Sequence, residues 1–286
     1  MAARDQDIEF TLRRVFGKPT FRPLQREAII AAVEGHDIFL QAATSFGKSL
    51  CFQLPAVVGH GVISPLLALM VDQVAALEAK GIPVATINST TPSSERRVII
   101  EDLLSGHPKT RLLYVTPEFC QTEAFRRNIM ILHAQKLLNR IAIDEAHCIS
   151  EWGHDFRPAY RELSWFKRTL TTPAVAITAV TATATPRVRR DIIGMLGLDP
   201  STLKTFNSPS ARPNIHYEVR YLTAFAQNPI ELEPSQVYDI LSWLKGIQSR
   251  RVAGLSSNST SDSGDNPLNT SSLPPISGII YVPLRS

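Results

Sequence analysis

The amino-acid sequence predicts an α/β fold in which helices cover both faces of a parallel β-sheet. Short apolar runs alternate with longer stretches at helical spacing, and a phosphate-loop pattern separates one such run from the helix after it. An acidic pair also comes directly after another apolar run. Strands that alternate with helices form parallel sheets, and such sheets bind ligands at the carboxyl ends of their strands.

Six short runs rich in apolar or β-branched residues are predicted strands. In chain order they are Asp37–Gln41, Gly61–Ser64, Val84–Ile87, Arg111–Val115, Arg140–Ile143 and Val175–Thr178. Apolar residues at helical spacing predict helices between and around them. These include Leu24–Val33, Lys48–Ala56, Met70–Lys80, Ser94–Leu104 and Arg187–Leu196. The crossovers between parallel strands are expected to be right-handed.

The composition changes after about residue 222, and this change sets the predicted domain boundaries. Residues 1–222 are expected to form the sheet domain. Residues 223–253 contain one amphipathic helix, Ser235–Arg251, and are expected to begin a second domain. Residues 254–276 are rich in Ser, Asn and Pro and too poor in apolar residues for a core, which predicts a disordered linker. Residues 277–286 begin with a β-rich run, expected to be the first strand of an incomplete second domain.

Charge and cysteine content set broad limits on function. A net charge of +4 fits a nucleic-acid partner, but also many enzymes without one. The three cysteines are far apart in the sequence, which argues against a zinc site or a disulfide framework and favours a reducing compartment. The polar N-terminus is unlike a signal peptide, and no apolar run reaches the ~18 residues of a membrane span. We therefore expect an intracellular protein that does not enter membranes.

Residues 42–49 form the phosphate-loop pattern between a predicted strand and a predicted helix. Backbone N–H groups at a helix N-terminus bind phosphate oxygens; Lys48 is expected to reach the β- and γ-phosphates, and Ser49 to bind Mg²⁺. The residues expected to surround the phosphates are Thr44, Ser45, Phe46, Gly47, Lys48 and Ser49. The full pattern has glycine where this chain has Ala42, so an ordinary helix start remains an alternative.

The acidic pair lies in Asp144-Glu145-Ala146-His147, after a predicted strand. Asp144 is expected to hold Mg²⁺ through water, and Glu145 to orient and deprotonate an attacking water. Together with Lys48 and His147 they are the predicted catalytic residues. Acidic residues at an ordinary helix N-terminus are the alternative. The hydroxyls of Thr181-Ala182-Thr183, after another strand, are a weaker signal of a link between hydrolysis and domain motion.

The ordered set of these motifs resembles the RecQ family of DNA helicases. The segments that carry the resemblance are Phe21–Gln25, Gly47–Pro55, Ser64–Met70, Tyr114–Glu118, Asp144–His147, Cys148–Pro158, Thr181–Thr185, Arg212–Asn214 and Ser277–Tyr281. The resemblance implies a RecA-like motor domain that uses ATP and Mg²⁺ to unwind DNA with 3′-to-5′ polarity in repair and recombination. It implies binding to DNA without sequence specificity, and we expect a nuclear location.

The resemblance also implies roles for single residues. Gln25, with Arg22 beside it, would read the adenine edge. Trp152 and Phe156 would stack on DNA bases, and Arg157 would add a charge. The DNA-facing residues of two further motifs are Ser64 and Thr116. Trp152 as a buried anchor and Thr116 as an ordinary helix cap remain alternatives.

Three departures from the family pattern affect these expectations. Ser45 stands where the family has glycine, and a left-handed backbone there would cost about 1–2 kcal/mol. The segment between Pro55 and Ser64 is short, which predicts a stubby strand. The chain ends at Ser286, before the motif whose arginine reaches the γ-phosphate, so we expect these residues alone to hydrolyse ATP poorly and not to unwind DNA. The alternatives are an ATPase that binds nucleic acid without unwinding it, and a fragment that only binds DNA or a partner protein.

Overall fold

The computed structural model describes residues 2–59, 61–65, 70–153, 155–209, 215 and 241–251 of the 286. The chain divides into two compact units, Met1–Ile215 and His216–Ser286. In the second unit the described part is a helix over residues 241–251, inside the predicted helix Ser235–Arg251. The predicted linker 254–276 and the predicted strand at 277–282 lie outside the described residues. The predicted domain boundaries after residues 222, 253 and 276 stay predictions.

The first unit is built on a parallel sheet, as predicted. Among the described residues its seven strands are β1 Ile38–Gln41, β2 Val62–Pro65, β3 Val84–Ile87, β4 Leu112–Val115, β5 Arg140–Ile143, β6 Ala176–Thr181 and β7 Lys204–Asn207. Their order across the sheet is β3-β4-β2-β5-β6-β1-β7, and every pairing is parallel. The strand that leads into the phosphate loop, β1, is therefore separated from the strand before the acidic pair, β5, by β6.

Helices cover both faces of this sheet. They are α1 Ala2–Arg14, α2 Gln25–Val33, α3 Leu50–Val58, α4 Met70–Glu78, α5 Ser93–Leu104, α6 Pro117–Cys120, α7 Glu123–Ala134, α8 Pro158–Arg161, α9 Ser164–Thr169 and α10 Pro186–Met195. Successive strand residues face opposite cores: Ile38 and Leu40 pack with residues of α1–α4, whereas Phe39 packs with residues of α5–α10. No helix in the described part of the chain is long and apolar enough to span a membrane.

One difference from the prediction concerns an edge of the sheet, and one expectation concerned the interior strand β2. The edge strand β7 was not predicted, because three of the four side chains in Lys204–Asn207 are exposed and the run lacks an apolar pattern. With four residues, β2 is as long as β1, β3, β4, β5 and β7, so its length does not show the shortening that was expected. Its pairing with β5 covers only two residues, Val62 and Ile63, whereas its pairing with β4 covers four.

Candidate nucleotide and nucleic-acid site

The phosphate loop, residues 42–49, joins β1 to α3 through two residues with left-handed backbone. Ser45 has a φ of 70° and Gly47 a φ of 86°. A Cβ on Gly47 would lie 2.8 Å from Nε2 of Gln25, so this position leaves no room for a side chain. Ser45 is the strained position that the sequence indicated, since a Cβ in this backbone region costs about 1–2 kcal/mol.

The ammonium group of Lys48 lies inside the loop. Its Nζ donates hydrogen bonds to the backbone oxygens of Ala42, at 3.0 Å, and Ala43, at 3.3 Å. Helix α3 begins at Leu50 rather than at Lys48 as predicted, and Lys48 and Ser49 form the turn before it. The N–H groups of Leu50 and Cys51 donate to the oxygens of Gly47, at 3.1 Å, and Lys48, at 2.9 Å, and the positive dipole end of α3 faces the loop that carries Lys48.

Gln25 and Arg22 hold the phosphate loop from outside. Gln25 is buried; its Oε1 accepts from the Arg22 backbone N–H at 2.9 Å, and its Nε2 donates to the oxygens of Phe46 at 2.9 Å and Gly47 at 3.3 Å. The Arg22 guanidinium donates to the Ser45 oxygen. In this structure the amide of Gln25 anchors the loop, which uses its Nε2 donors and one lone pair of Oε1. Only the second lone pair of Oε1 is left to accept a hydrogen bond from adenine.

The acidic pair lies at the carboxyl end of β5, where a 3₁₀ turn, Ala146–Ile149, begins. His147 Nδ1 lies 2.9 Å from Oγ1 of Thr181 and 3.3 Å from Oε2 of Glu145. Thr181 is the last residue of β6, the strand next to β5. The sheet thus places a threonine of one predicted motif against the histidine of another, and that histidine holds the Glu145 carboxylate.

The Asp144 carboxyl is buried beside Glu145, and its electrostatic surroundings connect it to the phosphate loop. Burial and the charge of Glu145 raise the pKa of Asp144 to about 6. The Glu145 backbone N–H, which donates to Oδ1 at 2.9 Å, the charge of Lys48 and a hydrogen bond from Gln73 act in the opposite direction. The positive charge of Lys48 thus lowers the pKa of the carboxyl that follows β5.

The Thr181 hydroxyl is shared between His147 and the loop after β6. It donates to the Thr183 oxygen at 3.1 Å and accepts from the Thr183 N–H at 3.2 Å. Because its hydrogen is directed to a carbonyl, the geometry assigns the hydrogen of the imidazole to Nδ1, which donates to the hydroxyl. Any shift of the loop after β6 is therefore passed to the histidine.

The aromatic-rich loop, Cys148–Pro158, is attached to α10. The side chain of Trp152 is 62% exposed, so it is not a buried anchor. Its indole lies under the guanidinium of Arg187, whose Cζ is 3.5 Å from the ring centre. Below it, Ser150 Oγ accepts from the Trp152 N–H at 3.2 Å and donates to Oδ2 of Asp191 at 2.6 Å. Two residues of α10 therefore hold the loop that presents the indole.

Phe156 and Arg157 lie in the same loop but are less available than Trp152. Phe156 is half-buried, and the Cζ atom of Arg161 lies 4.9 Å from the centre of its ring. The guanidinium of Arg157 pairs with Asp155 Oδ2 through two nitrogens, each at 3.3 Å. This ion pair neutralises much of the positive charge that Arg157 was expected to offer to DNA.

The two remaining DNA-side candidates, Thr116 and Ser64, differ in exposure. Thr116 caps α6 with its hydroxyl, which accepts from the Phe119 N–H at 3.2 Å, and Pro117 takes the first helical position; the predicted cap chemistry is confirmed. Its contact with DNA stays a prediction. Ser64 is fully buried, and its hydroxyl has no hydrogen-bond partner among the described residues. A direct contact between this hydroxyl and DNA is therefore not available in this structure; residues 66–69 of the same motif lie outside the described residues.

A polar network beside Asp144 was missed by the sequence analysis. Gln53 Nε2 donates to Gln73 Oε1 at 3.1 Å and to the Tyr114 hydroxyl at 3.0 Å, which in turn donates to Gln73 Oε1 at 2.8 Å. The acceptor end of the Gln73 amide is thereby fixed, and its donor end is left for Asp144. One signal could have found it: Gln73 occupies an apolar-spaced position of its helix, with Val74 and Leu77.

In comparisons with known proteins, most of the first unit matches helicases. A family model described as "DEAD/DEAH box helicase" matches residues 22–192. "ATP-dependent DNA helicase Q5" of Rattus norvegicus is 42% identical over 224 residues, which are 76% of this chain and 23% of that protein. "ATP-dependent helicase SGS1" of Saccharomyces cerevisiae is 44% identical over 227 residues, which are 76% of this chain and 15% of that protein.

Solved structures share the fold. The DUF1998 helicase MrfA, solved bound to DNA, matches with a TM-score of 0.56 at 17% identity, over 72% of this chain and 30% of that one. At this identity the likeness concerns the fold alone. The chain spans less than a quarter of the length of the two curated helicases.

Proposed function

The chain belongs to the DEAD/DEAH box helicase family, and from this premise we propose that it is the ATP-binding motor domain of a RecQ-type DNA helicase. The proposed reaction is Mg²⁺-dependent ATP hydrolysis coupled to DNA unwinding with 3′-to-5′ polarity, in repair and recombination. Such a substrate would place the protein in the nucleus. The observation that supports the proposal most is that Lys48, after β1, and Asp144–His147, after β5, follow strands of one parallel sheet with only β6 between them.

The residues present fit a nucleoside triphosphate with Mg²⁺. The loop has a glycine with left-handed backbone, Gly47, and a cation, Lys48, directed into it. Among the described residues no group of three His, Cys, Asp or Glu side chains could hold a metal ion. Ser49 and Asp144 would therefore share Mg²⁺ with phosphate oxygens and water, as this ion prefers. When bound, the ion would neutralise charge on the phosphates.

Three side chains divide the remaining chemistry. Lys48 would turn from the loop carbonyls to the phosphate oxygens, which offer a stronger, charged acceptor. Glu145, whose side chain is 44% exposed, can reach a water molecule and accept its proton. His147, 6% exposed, would keep the Glu145 carboxylate in place while bound to Thr181. Adenine preference through Gln25 is part of the proposal, with loop anchoring as its second task.

The DNA-binding part of the proposal rests mainly on Trp152. An exposed indole offers a flat face on which a base can stack, a contact worth about 1–3 kcal/mol per base and tolerant of sequence. Thr116 would present the N-terminus of α6 to a phosphate, which positions DNA without reading its sequence. Phe156 and Arg157 would take part once they leave their partners Arg161 and Asp155.

Nucleotide binding is tested by titrating the 286-residue chain with a fluorescent ATP analogue and Mg²⁺. We expect Lys48→Ala to remove most of the affinity, because no second cation is directed into the loop in the described part of the chain. Lys80→Ala, which changes an exposed lysine after α4, is the matched control and should bind like the wild type. Equal binding by Lys48→Ala and the wild type would contradict the assignment of the phosphate site.

DNA binding is tested by the fluorescence anisotropy of a labelled oligothymidylate. Trp152→Ala should weaken binding by about five- to a hundredfold, the range of one lost stacking contact. Phe10→Ala is the control, because Phe10 on α1 is an aromatic residue of the same exposure, 63%. Equal losses in both variants would mean that Trp152 has no special role.

The binding-only alternative is tested in a chain that carries both motor domains. It would be favoured if this chain binds both ATP and DNA but neither turns over ATP nor separates strands.

A further inference from the structure

The exposed indole of Trp152 is held in place by one residue that no motif includes. Cζ of Arg187 lies 3.5 Å from the ring centre, which is stacking distance for a guanidinium on an aromatic face. The side chain of Trp152 nevertheless remains 62% exposed. One face of the indole is therefore covered by a cation, and the other face remains open.

Arg187 is itself fixed by the helix that carries it. It follows Pro186, the first residue of α10, and the Thr185 hydroxyl caps this helix by accepting from the Val188 N–H at 3.3 Å. Val188 and Ile192 anchor the opposite side of α10 in the core. No ion pair joins Arg187 to a carboxylate within the described parts of the chain, so its guanidinium is available to the indole.

The same face of α10 holds the backbone of the loop. Asp191, one turn after Arg187, accepts from Ser150 Oγ at 2.6 Å, and that hydroxyl accepts from the Trp152 N–H. Gly153 then lets the chain fold close to the 3₁₀ turn, since a Cβ there would lie 2.4 Å from the His147 oxygen. The backbone and the side chain of Trp152 are thus both set by α10.

We propose that Arg187 is a positioning residue that fixes the indole of Trp152 as a one-sided stacking platform for a nucleic-acid base. This inference rests on the proposed function, in which Trp152 contacts single-stranded DNA. Arg187 acts through the indole and not through a phosphate. An exposed tryptophan without such a partner loses rotamer freedom on binding, and pre-ordering by Arg187 removes that loss. A base stacks on the open face, opposite the guanidinium.

The test compares Arg187→Met, which keeps a long unbranched side chain but removes the cation, with Arg190→Met, which removes an exposed cation one turn along α10. Oligothymidylate affinity is measured by anisotropy over a series of salt concentrations. Arg187→Met should weaken binding by about two- to fivefold, the factor of a surface cation–π contact. Its salt dependence should equal that of Arg190→Met. If the slope of log affinity against log salt concentration is smaller in Arg187→Met than in Arg190→Met by about 0.7, Arg187 contacts a phosphate, and the proposal is overturned.

Two further measurements separate positioning from general damage. In the Trp152→Ala background, Arg187→Met should have no additional effect on affinity; a full additional effect would overturn the proposal. Acrylamide quenching of Trp152, followed without DNA in a chain with Trp165→Phe and Trp243→Phe, should increase when Arg187 becomes Met. Unchanged quenching would also overturn it. If Trp152→Ala binds DNA with normal affinity, the proposed role of Trp152 in DNA binding is refuted. If Trp152→Ala loses DNA affinity but Arg187→Met does not, only the present inference about Arg187 is refuted.

Discussion

Replacing Ser45 by glycine should relieve a backbone strain in the phosphate loop. Ser45 has a φ of 70°, and a Cβ in this region costs about 1–2 kcal/mol. Glycine removes that cost but gains freedom in the unfolded chain, which offsets about 0.4–1 kcal/mol. The Ser45 side chain is exposed, so no buried contact is lost. We therefore expect Ser45→Gly to raise the free energy of unfolding by about 0.8 kcal/mol, the difference between the midpoints of these two ranges.

Urea unfolding followed by circular dichroism measures this difference, with an unchanged m-value showing that the unfolding transition is comparable. The matched control is Ser45→Ala, which removes the hydroxyl but keeps the Cβ and therefore the strain. It should stay within about 0.5 kcal/mol of the wild type, as surface substitutions do. If Ser45→Gly is no more stable than Ser45→Ala, the left-handed backbone at this position carries no strain and the reasoning is wrong.

Three further outcomes are expected. Gln25→Ala should weaken the binding of both ATP and GTP analogues, because its amide anchors the loop, and should weaken the ATP analogue more, because adenine preference is lost as well; equal losses would indicate that Gln25 only anchors the loop. The pKa of Asp144 in the folded state, about 6, exceeds its ordinary value of 3.8. Between pH 3.8 and pH 6 the native state therefore binds more protons than the unfolded state. Above this pH range the ionised carboxylate destabilises the fold. Asp144→Asn should therefore stabilise the metal-free chain at about pH 7.5, and the gain should shrink by roughly 1.4 kcal/mol at about pH 5, whereas an equal gain at both would contradict it. Thr181→Val should lower the free energy of unfolding by about 1–3 kcal/mol, since it removes the hydroxyl that hydrogen-bonds to the buried His147 ring and to the backbone of Thr183. The exposed control Thr183→Val should be near neutral in the same urea experiment.

The features that the sequence predicted correctly depend on local signals. Alternating apolar runs and helical spacing located six strands and the five helices α2, α3, α4, α5 and α10 to within a few residues, because each pattern reflects one buried face. The cap chemistry at Thr116 and the strain at Ser45 were also local. Helix α7 was not singled out, although Phe125, Ile129 and Leu132 are buried at helical spacing in it. The edge strand β7 had no signal to find, since an exposed edge needs no apolar pattern.

The sequence by itself determined which residues are predicted to carry the chemistry, because a phosphate loop, an acidic pair and an aromatic-rich loop need particular residue types at fixed spacing. Only the tertiary structure decided which of them meet. Insertion of β6 between β1 and β5 brings Thr181 to His147, residues 34 apart in the chain. Packing of α10 on the 3₁₀ turn likewise sets Arg187 on Trp152. The physical reason is that strand order and helix packing follow from burying all apolar faces together, and no single segment encodes that result.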